Sequence, residues 1–512
     1  MIFLIGVDIA KAIIDEQISK RPVLVYGDPD VDGLMAMLLM CQFLDSKGVN
    51  YSYYINDKRQ HGLKLTPSAL RGYLVLAVDF DIPEDLVQEL VDNDVYLVSF
   101  DHHDIQDTFV DCKGKTGTRG IIINNQYPFE PADNTYQSGA GVVYEALCEV
   151  YPDFKSKERE AIVGITLLSD ARPIENPRAR EYLKTTYSID PQEGYIGYLV
   201  KSVLEGDYGF GLPRMDRNFI DFTFAPRVNS LLRFGKENEA VDFILGKGIS
   251  SSNTRIRQAE LVSAMRDRAS FLELSDLVVV GINSADFPDF PGVDLTGFIG
   301  LLCSNVKGVG KSVLGFVYDD GRIVRASFRG RYDDVPYRTG LEARGIEAKG
   351  HQVAFGILNF EPTVDTWKEI NALVRELDAG HQSQVNIIET SNLSFLMLQM
   401  GMKVATENCY TRDMYRTYFK YTGKNAKVIR ETYKTEPFSK EDYQKGVVPA
   451  SKTGATCYKY ILDADGNKIV KYIEYLIDGK KVKSFGVRVE DGLILPVLDK
   501  GHVQLYVRES ID

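Results

Sequence analysis

Positive charge is in short supply in this 512-residue sequence: 60 Lys and Arg face 72 Asp and Glu, leaving a net charge of −12. That argues against a chain coated with cations that holds duplex DNA by bulk electrostatics. It leaves room for a local basic groove, and it suits a site built from carboxylates around a metal. Cysteine is scarce as well. The six residues, at 41, 112, 148, 303, 409 and 457, form no CxxC pair, which excludes a disulfide scaffold and points to a reducing cytoplasm. Long apolar runs are missing. The greasiest, Leu34 to Leu44, sits between Asp32 and Asp45, too short to cross a bilayer and expected as a buried helix. Met1 to Ala10 is apolar but lacks a basic leader region and a small-residue cleavage site. A soluble cytoplasmic protein with no membrane partner is expected. What is abundant is burial material: 29 Tyr and 25 Phe exclude disorder over most of the length.

The first 190 residues alternate β-rich runs with helical patterns. Strands are expected at Val23–Tyr26, Tyr51–Ile55, Tyr73–Val78, Val95–Phe100 and Ile121–Ile123, and helices up to Leu44 and at Glu84–Val91, Gly139–Val150 and Glu158–Leu168. Such alternation predicts an α/β fold with a parallel sheet covered on both faces, whose ligands gather at the carboxyl ends of the strands. A long polar helix is expected over about Asn253–Glu273. Strands Leu277–Gly281, Ser312–Val317 and Arg322–Arg329 then suggest a second, smaller α/β domain. From Tyr458, short alternating runs and the pairs Asp465-Gly466, Asp478-Gly479 and Asp491-Gly492 predict antiparallel hairpins.

Four acid and imidazole clusters end strands or helices in the first domain. Asp28, Asp30 and Asp32 alternate directly after Val23–Tyr26. They repel one another unless a cation neutralises them, although an acidic turn with Asp32 capping the next helix is an alternative. Asp79 follows Tyr73–Val78. Asp101-His102-His103-Asp104 follows Val95–Phe100 and holds two of only six histidines. Asp170 ends an apolar helix, where a carboxylate sits badly against the dipole. Carboxylates plus imidazole suit Mn²⁺ or another first-row divalent ion, and the set suits a two-metal site for phosphoryl chemistry.

These residues resemble the four motifs of the DHH phosphoesterase superfamily. Further segments are similar to its RecJ-type single-strand DNA exonucleases: Tyr136-Gln-Ser-Gly139-Ala-Gly141; Ser169-Asp170 to Glu175-Asn176, with the usual Arg displaced to Arg178; Pro226-Arg227-Val-Asn229-Ser230-Leu-Leu-Arg233; Ser327-Phe-Arg329-Gly330-Arg331; Gly350-His351 to Gly356; and Arg59 to Leu63. The resemblance covers about residues 20 to 360. It implies a DHH domain over 1–195, a helical connector over 196–275, a DHH-associated domain over 276–360, and a C-terminal mixed or β-rich nucleic-acid-binding region over 361–512, barrel-like in some relatives. It also implies two divalent ions, Mn²⁺ or Mg²⁺. Asp28, Asp30 and Asp79 would hold one, and Asp32, Asp79, His102 and Asp170 the other. His103 would contact the scissile phosphate. His351, Gly350, Arg329, Arg227, Asn229, Arg233 and Arg59 would line a cleft for the strand's phosphates. Gly33 and Gly350 would let backbone approach a phosphate closely.

Residues 403–434 carry eight basic against three acidic side chains, interleaved with Tyr410, Tyr415, Tyr418, Phe419, Tyr421 and Tyr433. Cations beside stacking rings suit single-strand binding, as they also suit the basic face of a packed helix. The expected function is a metal-dependent, 5′-to-3′ single-strand DNA exonuclease of DNA repair and recombination, partnered by a helicase or single-strand-binding protein. A phosphodiesterase acting on short RNA or cyclic dinucleotides, and an inactive scaffold of the same fold, are the alternatives.

Overall fold

The computed structural model describes residues 4–56, 62–103, 110–114, 117–127, 135–170, 172, 174, 176–204, 215, 217–247, 252–306, 311–319, 321–332, 335–358 and 363–380, together with the backbone of eight C-terminal strands. The chain divides into two compact units, Met1–Gln382 and Ser383–Asp512.

The first unit opens with α1 (Val7–Gln17), β1 (Val23–Gly27), α2 (Val31–Ser46), β2 (Tyr51–Ile55), β3 (Leu74–Val78), α3 (Glu84–Asp92), β4 (Tyr96–Asp101), β5 (Asp111–Gly114), β6 (Gly117–Asn124), α4 (Gly139–Val150) and α5 (Lys157–Ser169). One sheet runs β2-β1-β3-β4-β6-β5. All its pairs are parallel except the edge strand β5. Every residue of β1, β3 and β4 is buried, as expected where helices cover both faces. That double burial explains why these strands read as unbroken apolar runs rather than alternating ones. Helix α2, apolar almost all round, packs on β1, α4 and α5. The chain leaves β1 toward β2 on one side and places β3 on the other, so the strand order reverses between β1 and β3. That reversal makes a crevice at the strands' carboxyl ends.

Helices α6 (Pro177–Ser188), α7 (Gly194–Leu204), α8 (Ala225–Arg233), α9 (Glu237–Ile244) and α10 (Ser252–Arg268) follow. A second sheet combines β7 (Ser270–Glu273), β8 (Leu277–Asn283), β9 (Ser312–Asp319), β10 (Arg322–Arg329), β11 (Ala348–His351) and β12 (Ala354–Ile357) in the order β11-β12-β10-β9-β8-β7. Helix α11 (Ile299–Val306) and helix α13 (Val364–Ala379) pack on it, with α12 (Tyr337–Glu342) against α13. One expectation is corrected here: the polar helix does not continue to Glu273. It stops at Arg268, whose guanidinium is held by Asp289, and residues 270–273 pair antiparallel with β8. Strand pairing overrides local helix propensity at this edge.

The second unit contains β13 (Asn386–Thr390), β14 (Thr417–Tyr421), β15 (Lys427–Lys434), β16 (Gly454–Leu462), β17 (Lys468–Ile477), β18 (Lys480–Gly486), β19 (Leu493–Asp499) and β20 (His502–Arg508), in two four-stranded sheets. The pairs β15/β16, β16/β17, β17/β18 and β19/β20 are antiparallel. The three Asp-Gly turns and most of the basic aromatic stretch 403–434 lie outside the described residues; of the latter only the backbones of β14 and β15 are described. Among the described residues no helix is long and apolar enough to cross a membrane.

Candidate metal centre

The crevice between β1 and β3 is lined by carboxylates from three strand or helix ends and an imidazole from a fourth. Asp28, Asp30 and Asp32 occupy the turn from β1 into α2. Asp30 caps α2 by accepting the Gly33 N–H at 2.9 Å. A side chain at Gly33 would run into the Asp28 carbonyl, so this glycine lets the turn fold onto itself. Asp32 points back toward α4, where its two oxygens accept the N–H groups of Gly139 at 2.6 Å and Ala140 at 3.0 Å. The positive end of α4 thus holds this carboxylate.

Asp79 leaves β3 with φ 67°, a conformation uncommon outside glycine and costly for most side chains. Its N–H is tied to the Phe100 carbonyl at 2.8 Å. Gly139 leaves room for it, since a Cβ there would collide with the Asp79 carboxylate. The strain therefore aims one carboxylate into the crevice. From β4, His102 Nε2 stands 3.0 Å from Asp79 Oδ1 and 3.8 Å from both Asp32 Oδ2 and Asp170 Oδ2. Asp170 comes from the C-terminal end of α5.

Burial, with the charges of Asp170 and Asp30, pushes Asp32 up to about 8. Burial and the neighbouring carboxylates, Asp32 first, push Asp79 well above the usual range. Burial holds His102 down to about 4, leaving its imidazole neutral. Asp170 stays below the ordinary value because the nearby His351, His102 and Arg172 outweigh its burial.

This arrangement fits a divalent cation. Asp79 Oδ1 and Asp170 Oδ2 are buried and accept no hydrogen bond. His102, Asp32 and Asp170 offer ligand atoms within 4.8 Å of one another, as do Asp79, His102 and His103. Carboxylate oxygens with one or two neutral imidazoles are the donor set of a first-row divalent metal. Carboxylates this deep and this close need a cation or protons between them.

His103 is half exposed, with Nδ1 2.7 Å from Asp101 Oδ1. Asn124, at the end of β6, donates to Asp101 Oδ2 at 3.2 Å and to the His103 carbonyl at 3.1 Å. Burial works against a charge on His103, but Asp101 raises it to about 10. Asn124 was not singled out from sequence; the rule that site residues follow strand ends points to it.

The second sheet contributes through β11. His351 Nε2 lies 3.6 Å from Asp170 Oδ1. Gly350, at φ 130°, sits in the β11–β12 hairpin, where a side chain would press on the Ala354 carbonyl. Beside the hairpin is a cavity of about 430 Å³ with a strongly basic lining: Arg233, Lys236, Arg257, Arg325, Arg329 and Lys349. Arg329 is braced by Ser304 at 3.2 Å and Ser327 at 3.0 Å, and Arg233 by Gln258 at 3.2 Å. Arg227 and Asn229 are half-buried on α8 and do not line the cavity. Arg59 lies outside the described residues.

Residues 22–169 match the model of the DHH family, N-terminal domain. The chain is 22% identical to the single-stranded-DNA-specific exonuclease RecJ of Thermus thermophilus over 271 residues, 51% of this chain and 38% of that protein. It is 23% identical to the RecJ of Bacillus subtilis over 494 residues, 85% of this chain and 58% of that protein. It thus spans less than two thirds of either relative. Among solved structures, RecJ in complex with Mn²⁺ from Thermus thermophilus shares the fold with a TM-score of 0.61 at 18% identity, covering 99% of this chain and 71% of that one. An exonuclease RecJ bound to manganese gives 0.50 at 19% identity, covering 74% and 96%.

Proposed function

From residues 22–169, which match the model of the DHH family, N-terminal domain, we propose that the chain is a metal-dependent exonuclease that hydrolyses single-stranded DNA, working 5′ to 3′. The observation that carries this reading is the group of buried, partly unbonded carboxylates around His102, next to a basic cavity. Anionic ligands call for a cation, and a cationic cavity calls for an anion. A nucleic-acid phosphate placed between them would satisfy both.

Asp28, Asp30 and Asp79 would hold one divalent ion and Asp32, Asp79, His102 and Asp170 a second, Mn²⁺ or Mg²⁺. Such a pair supplies an activated water and neutralises charge gathering on a phosphoryl group. The remaining work falls to the protein. Asp79 is preset by its backbone and by the space Gly139 leaves. Asp32 is preset by the α4 N–H groups. His103, held by Asp101 and Asn124, contacts the scissile phosphate and helps stabilise its developing charge. Arg233, Arg329, Lys349 and His351 hold the strand, and arginine's planar fork suits phosphate oxygens. In this reading residues 1–195 are the DHH domain, 196–275 a connector and 276–360, with most of the second sheet, a DHH-associated domain. The C-terminal unit binds nucleic acid, and a helicase or single-strand-binding protein supplies the strand.

The test uses 5′-labelled and 3′-labelled single strands with Mn²⁺, beside a short RNA and a cyclic dinucleotide. Release of mononucleotides from the DNA strand supports the proposal, and the labels report direction. Cleavage of the cyclic compound alone rejects it.

A further inference from the structure

The basic cavity does not end at its lining. Helix α10 packs on α8 through Thr254, which hydrogen-bonds Ser230 at 2.9 Å, and Gln258, which accepts from Arg233. These two residues are one helical turn apart and fix the facing ridge of α10. Arg255 and Arg257 stand on opposite flanks of that ridge. Arg257 is exposed, lines the cavity, and lies over the Phe234 ring at 5.3 Å. Arg255 is half-buried and close enough to Arg227 and Arg233 to feel their charge.

Like charges gathered in a partly buried place repel, and they persist where an anion sits among them. Burial, then Arg255 and Arg329, hold Arg233 down to about 10. Burial and Arg227 hold Arg255 below its usual value. Among the described residues, Arg233, Arg255, Arg257 and Arg329 make no ion pair with a carboxylate; their partners are Gln258, the Phe234 ring, and hydroxyl or carbonyl oxygens. This contrasts with Arg268, Arg344 and Arg375, each of which holds an acid. In a chain of net charge −12, arginines left without acids on one face are a feature to explain.

We propose that Arg255 and Arg257 are strand-binding residues, each taking one backbone phosphate of a single-stranded nucleic acid, so that α10 extends the basic cavity into a track. Nothing in the sequence motifs marks them; only the packing of α10 on α8 brings them beside Arg227, Arg233 and Arg329. The track rests on the nuclease reading above, and its test separates the two.

The full-length chain is titrated with a fluorescein-labelled 20-nucleotide DNA strand in EDTA, which prevents cleavage, over a range of salt concentrations. The double variant Arg255→Gln/Arg257→Gln is compared with Arg255→Lys/Arg257→Lys. Each phosphate contact on a single strand contributes about 0.7 to the slope of log K against log[salt]. The Gln pair should therefore flatten the slope by about 1.4, while the Lys pair keeps it. Loss of the slope in both pairs would mean the arginines hold the fold rather than the strand, and overturns the proposal. A Gln pair with the wild-type slope overturns it as well and leaves the nuclease reading intact. A wild-type chain that binds no strand brings down both.

Discussion

His103 Nδ1 lies 2.7 Å from Asp101 Oδ1, and the other oxygen of that carboxylate takes the Asn124 amide at 3.2 Å. The exposed imidazole is thus fixed from beneath by a buried acid and an amide from the next strand. Asn124→Ala should lower turnover roughly 10-fold, the size of effect typical of groups that orient a reacting residue, and leave Mn²⁺ affinity near the wild-type value. Turnover curves beside a metal titration check this. Equal losses in both would show that Asn124 supports the whole crevice.

Asp79 faces both halves of the proposed ligand set, so Asp79→Asn should lower metal affinity and turnover by more than about 100-fold. The same change removes a buried acid that its neighbours disfavour. The melting temperature of the metal-free protein should therefore hold or rise. Calorimetry and a thermal melt in EDTA check the pair. Near-normal turnover would refute the site.

Proton release should accompany metal binding. In the metal-free fold Asp32 is raised to about 8 and Asp79 well above its usual range, whereas an unfolded Asp titrates near 4. Between roughly pH 4 and pH 8 the folded chain then binds more protons than the unfolded one, so the metal-free protein loses stability as pH rises through that window. A divalent cation replaces those protons. The increase in melting temperature on adding Mn²⁺ should be larger at pH 8 than at pH 6, and binding heats at pH 7 should depend on the buffer's ionisation enthalpy. Equal increments and buffer-independent heats would show the carboxylates already ionised.

Two glycines two residues apart at the start of α4 should behave differently. Gly141→Ala meets its nearest atoms, Gln137 Cβ and Ser138 Oγ, at 3.4 and 3.5 Å. It should be neutral or stabilising by up to about 1 kcal/mol, the helix preference of Ala over Gly. Gly139→Ala drives a methyl into the Asp79 carboxylate and should cost about 100-fold in turnover by displacing it. Paired melts and rate measurements distinguish them. Full activity in Gly139→Ala would show that Asp79 need not sit where it does.

The parts of this site that follow strands were legible in the chain. Asp28, Asp79 and Asp101 come directly after apolar runs that could only be buried strands, and a parallel sheet sends such residues to one edge. Side chains placed by packing between elements were not legible. Asn124 matters because β6 lies beside β4, and Arg255 and Arg257 because α10 lies on α8. The strand Ser270–Glu273 was hidden for the same reason, since its pairing with β8 is non-local. Arg227 and Asn229, which a motif picked out, sit on α8 outside the lining of the cavity, with Arg227 near Arg255.

One contact joins the two sheets at the chemistry itself. His351, from the tip of the β11–β12 hairpin, reaches Asp170 at 3.6 Å and helps keep that carboxylate ionised. The ionised state of a carboxylate at the end of α5 is thus sustained in part from the other sheet, so the electrostatics of the crevice depend on where the hairpin sits.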